Sequence, residues 1–119
     1  MKFVKLVGLC LLIVLFAGWR NDYVNQSTEK SASASISTTS GYLYGITIST
    51  DATNAVAIDI YDNTAASGTK LIQTMTITTS ATDRVTSIGF NPPVEYRTGL
   101  YVSVTCAGTV GYMVYYRNT

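Results

Sequence analysis

An antiparallel β-sandwich of six to seven short strands, an all-β fold preceded by an N-terminal hydrophobic helix, is predicted by three observations. Apolar and polar residues alternate with period two in short runs beyond residue 35. Clusters of turn formers separate those runs at intervals short enough for hairpins. No helical periodicity occurs after residue 20. Short connections imply two packed antiparallel sheets, in a jelly-roll or Ig-like arrangement.

The N-terminal segment comes first. Lys2 and Lys5 precede an uncharged run from Leu6 to Trp19 that includes Leu12, Ile13 and Phe16, and Arg20 closes it. A basic start and an apolar stretch of ~7–15 residues describe a targeting signal. The cleavage site is poor, with Leu15 or Phe16 three residues before the candidate cuts after Ala17 or Gly18. A retained membrane anchor is the second reading: Lys5 and Arg20 snorkel and Trp19 suits an interface. A buried helix docking on a partner protein is the third. Both main readings carry the rest of the chain out of the cytoplasm. Residues 21–35 are polar and aperiodic and read as a flexible linker, and 36–119 as the β domain.

Each strand then follows from its alternation. Tyr42, Tyr44, Ile46 and Ile48 share one face, opposite Leu43, Gly45, Thr47 and Ser49. Val56, Ile58 and Ile60 alternate with Ala57, Asp59 and Tyr61; Leu71, Gln73, Met75 and Ile77 form the next stripe. A shorter strand over residues 84–90 stops at Asn91-Pro92-Pro93, because proline cannot donate to a ladder. Leu100, Val102, Val104 and Cys106 make an apolar face, as do Val110, Tyr112, Val114 and Tyr116. A weaker strand is expected over residues 34–39.

The composition removes several chemistries. The chain carries +1, and without Lys2 and Lys5 the remaining six basic and seven acidic residues leave −1, no footprint for nucleic acid. The chain contains no histidine, which removes His-based metal sites, general bases and nucleophile dyads. Asp59 and Asp62, the acids nearest in sequence within the β domain, are expected to point to opposite faces and so form no catalytic carboxylate pair. Asp59, Asp62 and Asn63 offer oxygen ligands of the calcium type, but the same residues serve as turn caps. The expectation is a non-enzymatic protein without cofactor or metal. Cys10 lies in the apolar run and Cys106 on an apolar strand face, so no disulfide is expected.

Tyrosine is the unusual enrichment, nine residues in the chain. Core or subunit packing is the first reading. A platform for a ligand is the second, with Asp59, Tyr61, Asp62, Asn63 and Tyr96 as the candidate binding residues. A surface poor in charge also suits assembly contacts.

Gly41-Tyr-Leu-Tyr-Gly-Ile, Val56-Ala-Ile-Asp-Ile-Tyr-Asp-Asn-Thr-Ala-Ala-Ser-Gly-Thr-Lys-Leu, Phe90-Asn-Pro-Pro-Val, Gly99-Leu-Tyr-Val and Tyr112-Met-Val-Tyr-Tyr-Arg117 together resemble small β-sandwich virion proteins of bacteriophages. The resemblance covers residues 41–117 and rests on strands and turns, without a catalytic motif. It implies a decoration, spike or fibre-type protein, homo-oligomeric, in contact with other virion or surface proteins. The apolar N-terminus departs from a decoration protein of a naked capsid and suits membrane association. The alternative is a secreted or membrane-anchored surface module that recognises a glycan or receptor.

Overall fold

The computed structural model describes residues 23–78, 80, 82 and 84–119. The targeting or anchor segment, with Lys2, Lys5, Leu6, Leu12, Ile13, Phe16, Trp19 and Arg20, lies outside the described residues. Among the described residues there are eight strands: β1 (Asn25–Gln26), β2 (Ala34–Ser37), β3 (Gly41–Thr50), β4 (Val56–Tyr61), β5 (Met75–Ile77), β6 (Val85–Tyr96), β7 (Leu100–Cys106) and β8 (Val110–Asn118). They form two four-stranded sheets, ordered β1-β8-β3-β6 and β2-β7-β4-β5, with antiparallel pairing throughout. The molecule is an all-β, sandwich-like fold. Its pairings are nested: β1 with β8, β2 with β7, β3 with β6 and β4 with β5.

Alternation explains the core. Val56, Ile58 and Ile60 of β4, Leu100 and Val102 of β7, and Val110, Tyr112 and Val114 of β8 are all buried. Leu43, Ile46 and Ile48 of β3 and Tyr96 of β6 complete the cluster. Two tyrosines bridge the layers. The Tyr112 hydroxyl donates to the carbonyl of Ala32, just before β2, at 2.7 Å. The Tyr96 hydroxyl donates to Asn118 Oδ1 at 3.0 Å, and the buried Ser37 hydroxyl reaches the same oxygen at 2.7 Å.

Several expectations are corrected. In β3 the inward residues are Leu43, Ile46 and Ile48, whereas Tyr42 and Tyr44 are only half-buried. A bulge causes this: Leu43 faces Tyr116 and Gly45 faces Tyr115, so Tyr44 is an extra residue and the inward parity changes across it. The strand expected to end at Asn91 continues through Pro92 and Pro93 as β6. Proline is tolerated there because β6 is an edge strand and the register jumps from Gly89 to Val94. The stripe from Leu71 to Ile77 forms a strand only over Met75–Ile77, with Leu71 tied to the Ile60 carbonyl at 2.8 Å.

The segment expected as a linker, residues 21–35, is part of the sandwich from residue 25 onward. β1 lies on β8, Lys30 and Tyr112 exchange backbone bonds, and β2 begins at Ala34. Ser27 Oγ accepts from the Val114 N–H at 2.9 Å, so a side chain continues what the ladder starts. Such an edge cover needs backbone groups, not an apolar face, which is why alternation does not announce it.

Candidate functional site

β4 turns Asp59 and Tyr61 outward because Val56, Ile58 and Ile60 take the inward positions. In the ladder with β7, Tyr61 stands opposite Tyr101 and Asp59 opposite Ser103. Both tyrosines are half-buried. Lys70 Nζ sits 2.8 Å from Asp59 and 5.8 Å from the centre of the Tyr61 ring. Thr74 Oγ1 donates to Asp59 Oδ1 at 2.5 Å and accepts from Lys70 Nζ at 3.0 Å. The hydrogen bond from Lys70, then that from Thr74, holds the Asp59 carboxyl below the usual carboxylate range, and the same bond raises Lys70. The outer face of the β2-β7-β4-β5 sheet therefore presents a tyrosine pair beside a buttressed ion pair.

Asp62 and Asn63 have different work. Asp62 Oδ1 accepts from the N–H groups of Thr98 at 2.7 Å, Arg97 at 2.9 Å and Gly99 at 3.4 Å, fixing the β6–β7 turn. Burial pushes the Asp62 carboxyl upward, but these three donors together bring it below its ordinary value. Asn63 Nδ2 donates to the Ser67 carbonyl at 2.9 Å, and its Oδ1 accepts from the Thr64 N–H at 2.8 Å, closing the loop around Gly68, whose φ is +84°. Tyr96 is fully buried, so it offers no surface to a ligand. Of the five candidates, only Asp59 and Tyr61 share one outward surface. Tyr101 and Ser103 join them through strand register, and Lys70 and Thr74 through side-chain bonds from the following loop, neither of which the sequence pattern carries.

At the opposite end, Asp51 ties two turns together. Its Oδ1 accepts from the N–H groups of Thr53 and Asn54, both at 2.9 Å, and its Oδ2 from the Thr109 N–H at 3.1 Å. The backbone bond from Asn54, followed by that residue's side-chain bond, is the largest cause of a strongly lowered carboxyl pKa. Three carboxylates thus serve the fold's own turns and ion pair. All three sit below their ordinary values, so the folded state binds fewer protons than the unfolded chain. Their contribution is present above about pH 4 and is lost as pH falls through the folded values. Asp62→Ala is expected to cost about 0.5–1.5 kcal/mol by giving up the turn's carboxylate acceptor to water, with a smaller loss of stability on acidification than the parent shows. Urea titrations at pH 3 and pH 7 followed by circular dichroism measure both effects.

The outer face of the β1-β8-β3-β6 sheet differs in character. A shallow groove of about 190 Å³ runs over Thr47, Ser49, Val85, Gly111 and Met113, with the Glu29 carboxylate over Gly111. Tyr115 faces Gly45, which faces Gly89. Charge gathers farther along, where Arg117 stands over the Tyr42 ring at 5.6 Å and Arg97 pairs with Glu95 at 3.5 Å.

Among the described residues no three His, Cys, Asp or Glu side chains gather to hold a metal ion, and no helix is long and apolar enough to cross a membrane. Cys106 is a half-buried free thiol whose Sγ accepts from the Gly108 N–H at 3.4 Å. The architecture defines the class, a two-sheet antiparallel β protein. No protein-family model, curated protein or solved structure matches the chain.

Proposed function

We propose that this chain is a non-enzymatic structural protein of a virus, of the decoration, spike or fibre type found in bacteriophages, working through self-assembly and surface contact. In this reading the two sheets form a jelly roll, and the nested pairing of β1 with β8, β2 with β7, β3 with β6 and β4 with β5 is the observation that carries it. Strands paired in this way behave as one long hairpin rolled up, the double-sheet solution that recurs in viral capsid and lectin domains. Architecture alone assigns no function, so the surface supplies the rest. The face over Thr47, Ser49, Val85, Gly111 and Met113 carries one charge, that of Glu29, and shares with an interface centre its scarcity of charge. The Leu6–Trp19 run then delivers the domain to a membrane or beyond it, placing it at a virion surface or outside the cytoplasm.

The test is location. Antibodies raised against the chain are expected to label released particles in electron micrographs. Label confined to the envelope of cells that release no particles would overturn the viral reading.

A second reading, a surface module that recognises a glycan, is favoured by the Tyr61–Tyr101 pair. Tyrosine faces stack on sugar rings, while Asp59 accepts from and Lys70 donates to hydroxyls at the rim. It predicts saturable binding on a glycan array that Tyr101→Ala reduces at least tenfold with the fold intact. An array on which parent and variant both stay blank removes it.

A further inference from the structure

We infer that β6 is a homotypic docking edge, pairing antiparallel with β6 of a second copy through Val85, Ser87 and Gly89. The inference names the surface behind the self-assembly proposed above and rests on that self-assembly.

Backbone parity identifies the free groups. The Thr50 N–H donates to the Arg84 carbonyl at 2.8 Å. The register from Ser49↔Val85 to Gly45↔Gly89 is unbroken. Hydrogen-bonded and non-hydrogen-bonded pairs alternate along an antiparallel ladder, so Thr86 and Ile88 bond inward to β3. Val85, Ser87 and Gly89 direct their N–H and C=O groups away from the sheet. The far side of the sheet gives the same parity. Tyr112 and Val114 bond outward to Lys30 and Ser27, so Gly111 and Met113 bond Ser49 and Thr47, leaving Ile48 and Ile46 for β6. Among the described residues, no hydrogen bond outside the ladders reaches the backbone of Val85, Ser87 or Gly89.

This stretch lacks the usual protection of an edge. Natural edges are blunted by lysine, proline, bulges or brevity. In β6, Arg84 stands before the strand and Pro92 and Pro93 block its second half, but residues 85–90 carry neither charge nor proline. The other long-sheet edge is covered by only β1 and its continuation, and β5 is three residues long.

The same stretch is complementary to itself. A two-fold axis through Ser87 sets Ser87 against its own copy and Val85 against Gly89. Val85 is 62% exposed, a large apolar side chain on the outer face. At Gly89 a Cβ would meet nothing within 4 Å. The valine therefore lies over a glycine with open space above it, twice per pair. The paired edge also joins the two outer-face grooves at Val85, which lines each. A second copy is the occupant that satisfies both the backbone and this exchange of large for empty.

Sedimentation of the full chain over a concentration series tests this, comparing the parent with Val85→Lys, Ser87→Pro and Thr105→Lys. Ser87→Pro removes an N–H the fold does not use, and Val85→Lys leaves the backbone whole in case the proline strains the strand. Thr105→Lys marks the outer face of the other sheet. Every variant keeps the same N-terminal segment, so differences report on β6. The expected result is a parent that associates, with a dissociation constant raised at least tenfold by each β6 variant and unchanged by Thr105→Lys. Association that both β6 variants retain would overturn the edge while leaving self-assembly standing. A parent that stays monomeric at every concentration would overturn both.

Discussion

Replacing Tyr112 with alanine is expected to lower the unfolding free energy by about 3–5 kcal/mol, the range for deleting a large aromatic side chain from a core. The residue is 1% exposed, lies among Val110, Val114 and the inner face of β4 and β7, and reaches across the sandwich to Ala32. A domain of this size has only about 5–15 kcal/mol in total, so the variant sits near its folding limit at 37 °C. Tyr112→Phe keeps the ring and removes one buried hydrogen bond, for a loss of about 1–2 kcal/mol. The two variants also differ from the parent in alkali. Burial, then the neighbouring Tyr101, pushes the Tyr112 hydroxyl from 10.0 up to about 12. A raised pKa in the folded state means the contribution is complete below pH 10 and is lost as pH rises toward 12. The phenylalanine variant therefore loses less stability over that window. Urea titrations at pH 7 and pH 11 read both differences.

Gly41→Val is the second large effect, expected to cost about 1–3 kcal/mol or more through overpacking. A Cβ at Gly41 would stand against the Arg117 carbonyl oxygen and 2.7 Å from Tyr96 Cζ. Neither neighbour yields easily. The carbonyl is backbone of β8, one pair from the end of its ladder with β3, and Tyr96 is fully buried with its hydroxyl held by Asn118. Gly89→Val is the contrast, since nothing lies within 4 Å of the added Cβ. Its effect on the stability of the unassociated chain is expected within about 0.5 kcal/mol of zero, the ordinary range for a surface change, so the melts are run below the concentration at which the chain associates. Thermal melts of the two variants side by side separate a close approach of backbones from a glycine in open space.

The extent to which these elements were legible depends on what each one uses to pair. β4, β7 and β8 bury one face each, so Val56, Ile58, Ile60, Leu100, Val102, Val110, Tyr112 and Val114 announce themselves by alternation. β3 hides its true face because one bulge at Tyr44 shifts the parity, and a bulge leaves no mark in a run of tyrosine and glycine. β1 hides because it joins through backbone and Ser27, without an apolar stripe. β6 runs past its prolines because only an edge strand can, and edges follow from topology rather than from local sequence. The candidate surface divides in the same way. Asp59 and Tyr61 share a face through simple alternation, whereas Tyr101 and Lys70 join them through pairing between distant segments. Tyr96 follows the packing role of an aromatic whose hydroxyl finds a partner at the core's margin.

The central claim, a small β domain that works by assembling, is most directly tested by light scattering on the purified full chain across a dilution series. A single mass equal to a whole number of chains, greater than one and retained on tenfold dilution, is expected. A mass of one chain at every concentration would contradict it.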